Sequence, residues 1–474
     1  MTTDCTAQQL RLQGFPRRRE LVARFDGGEI TSDGGAVLVA RAERVRGLVD
    51  RLAACFTDHR DPERSEHTVE ELLRQRVFGL ALGYEDLIDH DELRRDPLLA
   101  ALVGKADPTG KQRRRAADRG HAMAGKSTLN RLEWGVAGQA EDDRYRRIAV
   151  DPEAVDAFFV EAFLDAHDEV PEQIILDLDA TDDPLHGTQE GRFFHGYYGD
   201  YCYLPLYIFA GSHLLCARLR RSNIDASAGA VEEVERIVGQ VRERWPEVRI
   251  LLRADSGFAR EALMAWCEGH EGVDYVFGLA RNPRLEEALE PGLEAAEEIC
   301  AETGEPARLF WEIRYRTLDS WSRTRRVVGK AEILERGPNP RFVVTSLAAA
   351  AIDGTRLYED IYCARGEMEN RIKEQQMCLF ADRTSGHLMR VNQLRLWLSA
   401  VAYLLLDEIR RTALVGTTLA RARCDTIRLK LLKIGARIRI SVRRINCSLS
   451  SSYPYQELFF LACQRLTRAG PQPA

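Results

Sequence analysis

Apolar positions recur at helical spacing over Thr68 to Leu82 and Asp91 to Val103, which predicts two helices in a mainly helical N-terminal region. Between Gly104 and Gly125 the periodicity stops, and the stretch holds Arg113, Arg114 and Arg115, so a loop or linker is expected. From Gln173 the texture changes. Ile174 to Thr181, Tyr203 to Phe209 and Leu214 to Leu219 read as strands, with Gly211-Ser212 as the turn between the last two. Ala226 to Arg244 then reads as a helix, Val248 to Ala254 as a strand, Ala259 to Glu268 as a helix and Val273 to Leu279 as a strand. Three strands able to form a meander, followed by helix and strand in alternation, predict a mixed α/β sheet. Residues 286 to 305 contain eight glutamates and no Lys or Arg, the pattern of a solvated acidic helix or loop. Arg308 to Arg316, Arg325 to Leu334 and Arg341 to Ser346 read as strands of a β-rich insertion, and Thr355 to Met377 and Gly386 to Arg411 as long helices. The pattern divides the chain into five parts: residues 1–170, 171–285, 286–350, 351–412 and 413–474.

Composition narrows the class. Of 474 residues, 45% are hydrophobic and 30% charged, which excludes a wholly disordered chain. The length predicts two or three domains. The longest apolar run, Leu396 to Leu406, is far short of the roughly 18 to 20 residues that span a bilayer, so no membrane partner is expected. The first fifteen residues lack the apolar core of a secretory signal. Eleven scattered cysteines with no C-x-x-C pair favour reduced thiols, and together these features predict a cytoplasmic protein. The net charge of -6 hides a segregation. From Arg383 to Ala474 there are 16 Lys and Arg against four acids, a net of +12, so the preceding residues carry -18. Arg421, Arg423, Arg428, Lys430, Lys433, Arg437, Arg439, Arg443 and Arg444 face one acid, Asp425, in that segment. Arg437 to Arg443 alternates strictly, the pattern of a strand with one cationic face. Such a face suits DNA phosphates, or it packs on the acidic body or attracts RNA. Arg17, Arg18 and Arg19 form a smaller cluster.

Gly120 to Ser127 fits the phosphate-loop pattern G-x-x-x-x-G-K-[ST], but the charged residues Lys111 to Arg119 before it cannot be the buried strand such a loop follows. The match is expected to be chance, with Ser127 or Thr128 starting a helix. Three carboxylates carry more weight. Asp179 lies at the end of the strand beginning at Ile174. Period two puts Asp177, Asp179 and Thr181 on one face and Leu176 and Leu178 on the other. A plain strand edge or turn accounts for Asp177 and Asp182, whereas Asp179 is a candidate ligand for something cationic. Asp255 ends the strand Arg249 to Asp255, a place for ligand chemistry in α/β sheets or simply a helix cap. Glu369 shares one helical stripe with Tyr362, Arg365, Lys373 and Gln376, at spacings of three, four, four and three. That stripe is not a core pattern. It is a site, or else a solvated salt-bridged face.

With these residues in order, Leu176 to Gly187, Arg253 to Phe258 and the Tyr362/Arg365/Glu369 helix, the sequence resembles the DDE transposases of bacterial insertion sequences. More narrowly, it is similar to the group with a D-x-T first motif and a Y-R-E third motif. The resemblance runs from about Phe25 to Leu466 and includes the aromatic stretch from Tyr197 to Tyr207. It implies an RNase H-like core over 171–285 and 351–412, and a DNA-end-binding helical domain over 1–170. Asp179, Asp255 and Glu369 become the catalytic and metal-binding triad, separated by 76 and 114 residues. Crowded carboxylates repel one another, and Mg²⁺, with Mn²⁺ as a substitute, resolves that conflict through hard oxygen ligands. Two such ions roughly 4 Å apart can clamp the attacking and leaving oxygens of a phosphoryl transfer. The expected role of Tyr362, Arg365, Lys373, Arg437, Arg439 and Arg443 is to bind DNA. The expected partners are double-stranded DNA, at element ends and target, and a second copy of the chain in the synaptic complex. The family often has Lys seven residues after the Glu, where this chain has Gln376. A catalytically inactive DNA-binding relative and a nuclease that hydrolyses without joining are the alternatives.

Overall fold

A computed structural model of the chain describes residues 10–12, 21–135 and 147–470. They divide into two compact units, one from residues 150–400 and one from residues 1–149 with 401–474. The Arg17 to Arg19 cluster lies outside the described residues.

The 150–400 unit is built on one mixed sheet. Its main strands are β1 (Gln173–Ala180), β2 (Leu206–Ala210), β3 (His213–Arg218), β4 (Arg249–Ala254), β5 (Val273–Leu279), β6 (Ala307–Tyr315), β7 (Arg325–Leu334) and β8 (Arg341–Thr345). The spatial order is β3-β2-β1-β4-β5-β8-β7-β6. β1, β4 and β5 run parallel, and every other neighbouring pair is antiparallel. The α/β expectation therefore holds. The three strands expected as a β-rich insertion form no separate body, because β8 pairs directly with β5 and continues the sheet. The expected Tyr203 to Phe209 strand is shorter and begins at Leu206. Pro205, which has no N–H for a ladder, separates it from a short strand at Asp200–Tyr203.

The two faces of this sheet differ. On one, Ile174, Leu176 and Leu178 of β1 and Ile250, Leu252 and Ala254 of β4 pack with helices α1 (Pro152–Leu164), α2 (Ala230–Arg244), α3 (Glu261–Glu268) and α4 (Pro283–Thr303). The glutamate-rich segment is α4. Its buried stripe is Leu285, Leu289, Gly292 and Ala296 at helical spacing, so the acids fall on the outer side. On the opposite face Leu251, Val276, Val328 and Val343 pack against Leu357 and Tyr358. Those two belong to a continuous helical run from Gly354 to Leu379 that passes through a π-helical turn (Leu357–Tyr362) and a 3₁₀ turn (Cys363–Arg365) before α5 (Gly366–Leu379). Irregular turns of this kind inside a helix re-aim the side chains around them. α6 (Met389–Glu408) follows.

In the other unit the helix Val69–Leu82 starts at a capping box, Thr68 with Glu71. The expected Asp91 to Val103 helix is broken into His90–Leu93 and Pro97–Leu102. Asp96 caps the second piece, and Pro97 disfavours helical backbone at the residue before it. Gly125 and Lys126 open a helix, Lys126–Glu133, with no strand before it, as expected for a chance phosphate-loop match. The basic C-terminal segment packs on these N-terminal elements. Strand β9 (Ala436–Ile440) pairs with Ile30–Thr31 on one side and β10 (Ile445–Leu449) on the other. Lys433 is paired with buried Asp33 at 2.7 Å, and Arg428 donates to the Ala81 carbonyl at 2.9 Å. Among the described residues no helix is long and apolar enough to cross a membrane.

Candidate active site

Parallel pairing of β1 and β4 sets Ala254 beside Leu178, so Asp255, one residue on, comes level with Asp179 at the carboxyl ends of adjacent strands. Both acids project from the face covered by the helical run, as do Asp177 and Arg253 before them. Asp255 uses Oδ1 to accept from the Gly257 amide at 2.8 Å and so caps the short turn Ser256–Phe258. The cap alternative for Asp255 is therefore the one seen directly.

Glu369 stands in the first turn of α5. It meets the strand-end acids through Arg365. That guanidinium lies 2.5 Å from Glu369 Oε1 and 3.8 Å from Asp179 Oδ2. Burial pushes the Asp179 carboxyl up to about 7; Arg365 opposes the shift, while Asp255 and Glu369 add to it. Burial works against the Arg365 charge, but Asp179 and Glu369 more than offset it and hold its pKa above the usual value. Three acids and one arginine therefore share a single electrostatic cluster.

Tyr362 closes the side of the cluster next to β5. A methyl group added at Gly278 would lie 2.5 Å from the Tyr362 hydroxyl and 3.0 Å from the Ser256 amide nitrogen. Only glycine leaves room there. Burial raises the Tyr362 hydroxyl; Arg365 opposes the shift and Asp255 adds to it. Gly278 carried no signal in the sequence, because its role depends on a contact 84 residues away along the chain. Arg253 opens the second sequence motif, but its contacts were equally silent. Its Nε and Nη2 donate to the two oxygens of Asp177 at 2.6 and 2.8 Å, and its Nη1 donates to the Ile361 carbonyl at 2.7 Å. One buried guanidinium thus joins β1 and β4 to the residue before Tyr362. Burial raises the Asp177 carboxyl against the pull of Arg253; Asp177 is thus not the strand edge or turn that the sequence suggested but a buried ion-pair partner in the middle of an interior strand.

Gln376 reaches back to the segment just beyond β1. Its amide nitrogen donates to the Asp182 carbonyl at 3.2 Å and to Asp183 Oδ1 at 2.9 Å. Asp183 is fully buried, and burial pushes its carboxyl up to about 8 despite Gln376. Its Oδ2 has no hydrogen-bond partner among the described residues. Tyr198 donates to the Ala180 carbonyl at 3.3 Å, and burial, together with Asp182 and Asp179, raises its hydroxyl to about 12. Lys373 is exposed, one turn beyond Glu369.

Of the sequence-predicted residues, Asp179, Asp255, Glu369, Tyr362 and Arg365 come together, while Arg437, Arg439 and Arg443 belong to the other unit. Arg443 is not on the strand expected for it. β9 ends at Ile440, and Ser441 turns the chain by bonding backbone and hydroxyl to Arg444. Among the described residues no three carboxylate, histidine or cysteine side chains stand close enough to hold one metal ion. The donor chemistry of Asp179, Asp255 and Glu369 nevertheless fits a divalent cation: all are hard oxygens, and Asp179 is already driven towards its neutral form by burial and by the other two.

The sequence model of the family described as Transposase DDE domain group 1 matches residues 14–471. No curated protein is similar enough to match.

Proposed function

The chain belongs to this DDE transposase family, and from that premise we propose that it cuts DNA at the ends of a mobile element and joins those ends to target DNA. The observation that carries the reading is the meeting of Asp179 and Asp255, level on adjacent parallel strands, with Glu369 across Arg365. The stretch β3-β2-β1-β4-β5 of the mixed sheet, with acids at the ends of the parallel strands β1 and β4, supports an RNase H-like assignment. Divalent cations, Mg²⁺ or Mn²⁺, held by Asp179, Asp255 and Glu369 would supply charge neutralisation for in-line phosphoryl transfer.

The chain's own residues do the rest. Arg365 offsets the repulsion among the acids in the DNA-free protein and is the donor nearest an incoming phosphate, which a planar guanidinium holds well. Tyr362 offers its hydroxyl from beneath Gly278. Arg253 fixes the Ile361 carbonyl and so the direction from which both approach. Lys373, exposed on the same stripe, extends the phosphate track. Two copies, each holding one end, bring the element ends together.

Incubation with Mn²⁺ and a duplex carrying the inverted repeats that flank the coding region tests this. Nicks at the repeat ends, followed by joined products, are expected. Hydrolysis with no joined product would make the protein a nuclease, and binding with no nick would make it an inactive relative. The second outcome draws on Gln376, whose amide is engaged by Asp182 and Asp183 where relatives often offer a lysine.

A further inference from the structure

The β9–β10 hairpin has two different ends. At its base Ala436 and Ile438 are buried against Leu98, with Leu102, Cys447 and Leu449 packed around them. At its tip the register places Ile440 opposite Ile445, with Ser441 to Arg444 as the turn. Ile440, Ile445 and Val442 are 37%, 41% and 104% exposed. Arg439, Arg443 and Arg444 flank them, and Arg437 lies nearer the base, in register with Ile30 and Ser448; all four are exposed, with no acidic partner among the described residues. Two other basic residues of this segment differ: Arg428 is held by the Ala81 carbonyl and Lys433 by Asp33.

Phosphate contact explains the arginines. It does not explain three exposed aliphatic side chains at the point furthest from the anchored base, of which Val442 is fully exposed. Val442 lies four positions beyond buried Ile438, two along the strand and two into the turn, so the tip stands at most on the order of 10 Å beyond its support, at about 3.3 Å per extended residue. A DNA groove is roughly 8 Å deep. Proteins that enter the minor groove combine arginines along the backbone with an apolar wedge that parts a base step and kinks the duplex by about 20 to 90°.

We propose that this hairpin is a DNA-bending arm: Arg437, Arg439, Arg443 and Arg444 hold phosphates on either side of the minor groove, and Val442, backed by Ile440 and Ile445, inserts between two base pairs. The inference rests on the reading of the chain as a DNA enzyme and adds a contact that deforms the duplex. Parting one step loses base stacking, which the arginine contacts made possible by the bend offset.

The test uses the full chain and a short duplex carrying a flanking inverted repeat, labelled at both ends for energy transfer. Wild type is expected to shorten the end-to-end distance. Val442→Ser is expected to abolish the shortening while keeping the salt slope of binding. Arg439→Gln and Arg443→Gln are each expected to lower that slope by about 0.9. A duplex with a mismatch at the inserted step, already unstacked, should restore bending by Val442→Ser. If wild type binds and cleaves but Val442→Ser bends DNA equally, the wedge is overturned and the enzyme reading stands. If the variant instead loses self-association in sedimentation with its bend intact, the tip joins copies of the chain and the wedge is likewise overturned. If wild type neither binds nor cleaves, both fail.

Discussion

Replacing Arg253 with methionine is the most informative perturbation of the scaffold beneath the site. The Arg253 and Asp177 side chains are only 8% and 5% exposed and joined by two short hydrogen bonds. Removing the guanidinium leaves a carboxylate in an apolar layer, for which breaking one partner of a buried pair costs about 3 to 5 kcal/mol. In a unit of this size that corresponds to a fall in melting temperature of roughly 6 to 20 °C. The cost should depend on pH with a definite sign. Burial already raises Asp177 with Arg253 in place, and without it the folded-state value rises further. A raised carboxyl is most favourable below its unfolded value, so the deficit of Arg253→Met should shrink as pH falls towards 4. The double variant Asp177→Leu/Arg253→Met removes both charges. It should recover most of the loss, since replacing a buried pair by apolar groups is often neutral or stabilising by about 1 to 4 kcal/mol. Urea unfolding followed by tryptophan fluorescence measures all three proteins. The double variant should still cleave DNA poorly, because the Arg253 bond to the Ile361 carbonyl, which positions Tyr362 and Arg365, is not restored. A single-variant cost under about 1 kcal/mol, or a double variant as unstable as the single, would refute the argument.

Gly278→Ala should lower cleavage about 100-fold by displacing Tyr362 and destabilise by about 1 to 3 kcal/mol; adding Tyr362→Phe should return the stability in a melting experiment but not the cleavage. Asp183→Asn should stabilise the protein near neutral pH. The wild-type carboxyl, at about 8 when folded against 3.8 unfolded, loses stability as pH rises between those values, a slope amounting to several kcal/mol at about 1.4 per unit. Thermal melts across that range should be flatter for the variant, and equal slopes would remove Asp183 as their cause. Arg365→Gln should bind Mn²⁺ at least as tightly as wild type by calorimetry, since a competing cation is gone, yet cleave more slowly. Loss of Mn²⁺ binding would mean that Arg365 assembles the acids rather than offsetting their charge.

The sequence was most legible where one local period governs. The alternation that put Asp177 and Asp179 opposite Leu176 and Leu178 is the alternation of β1, and Glu369, Lys373 and Gln376 keep helical spacing on α5, although Tyr362 and Arg365 lie in irregular turns before it. Two kinds of feature were hidden. Breaks imposed by a single residue, Pro97 and Pro205, outweighed an apolar period that continued through them. Contacts between distant segments left no periodic trace: Arg253 with Ile361, Gly278 with Tyr362 and Gln376 with Asp183 arise only when the sheet and its covering helix close on one another. The cationic strand was half legible. Its alternation ran on to Arg443, but Ser441 closes a turn through its own hydroxyl, a device that alternation cannot reveal. Charge segregation marked the basic segment without distinguishing Lys433, neutralised by Asp33, from the four hairpin arginines.

The central claim is that Asp179, Asp255 and Glu369 act together on DNA. Its most direct test is single-turnover cleavage of element-end DNA in Mn²⁺ by Asp179→Asn, Asp255→Asn and Glu369→Gln, with end binding measured alongside. Each variant should bind the ends as wild type does and cleave about a thousandfold more slowly, some 4 kcal/mol of barrier at 1.36 per tenfold. Cleavage within about tenfold of wild type by any one of them would contradict the account.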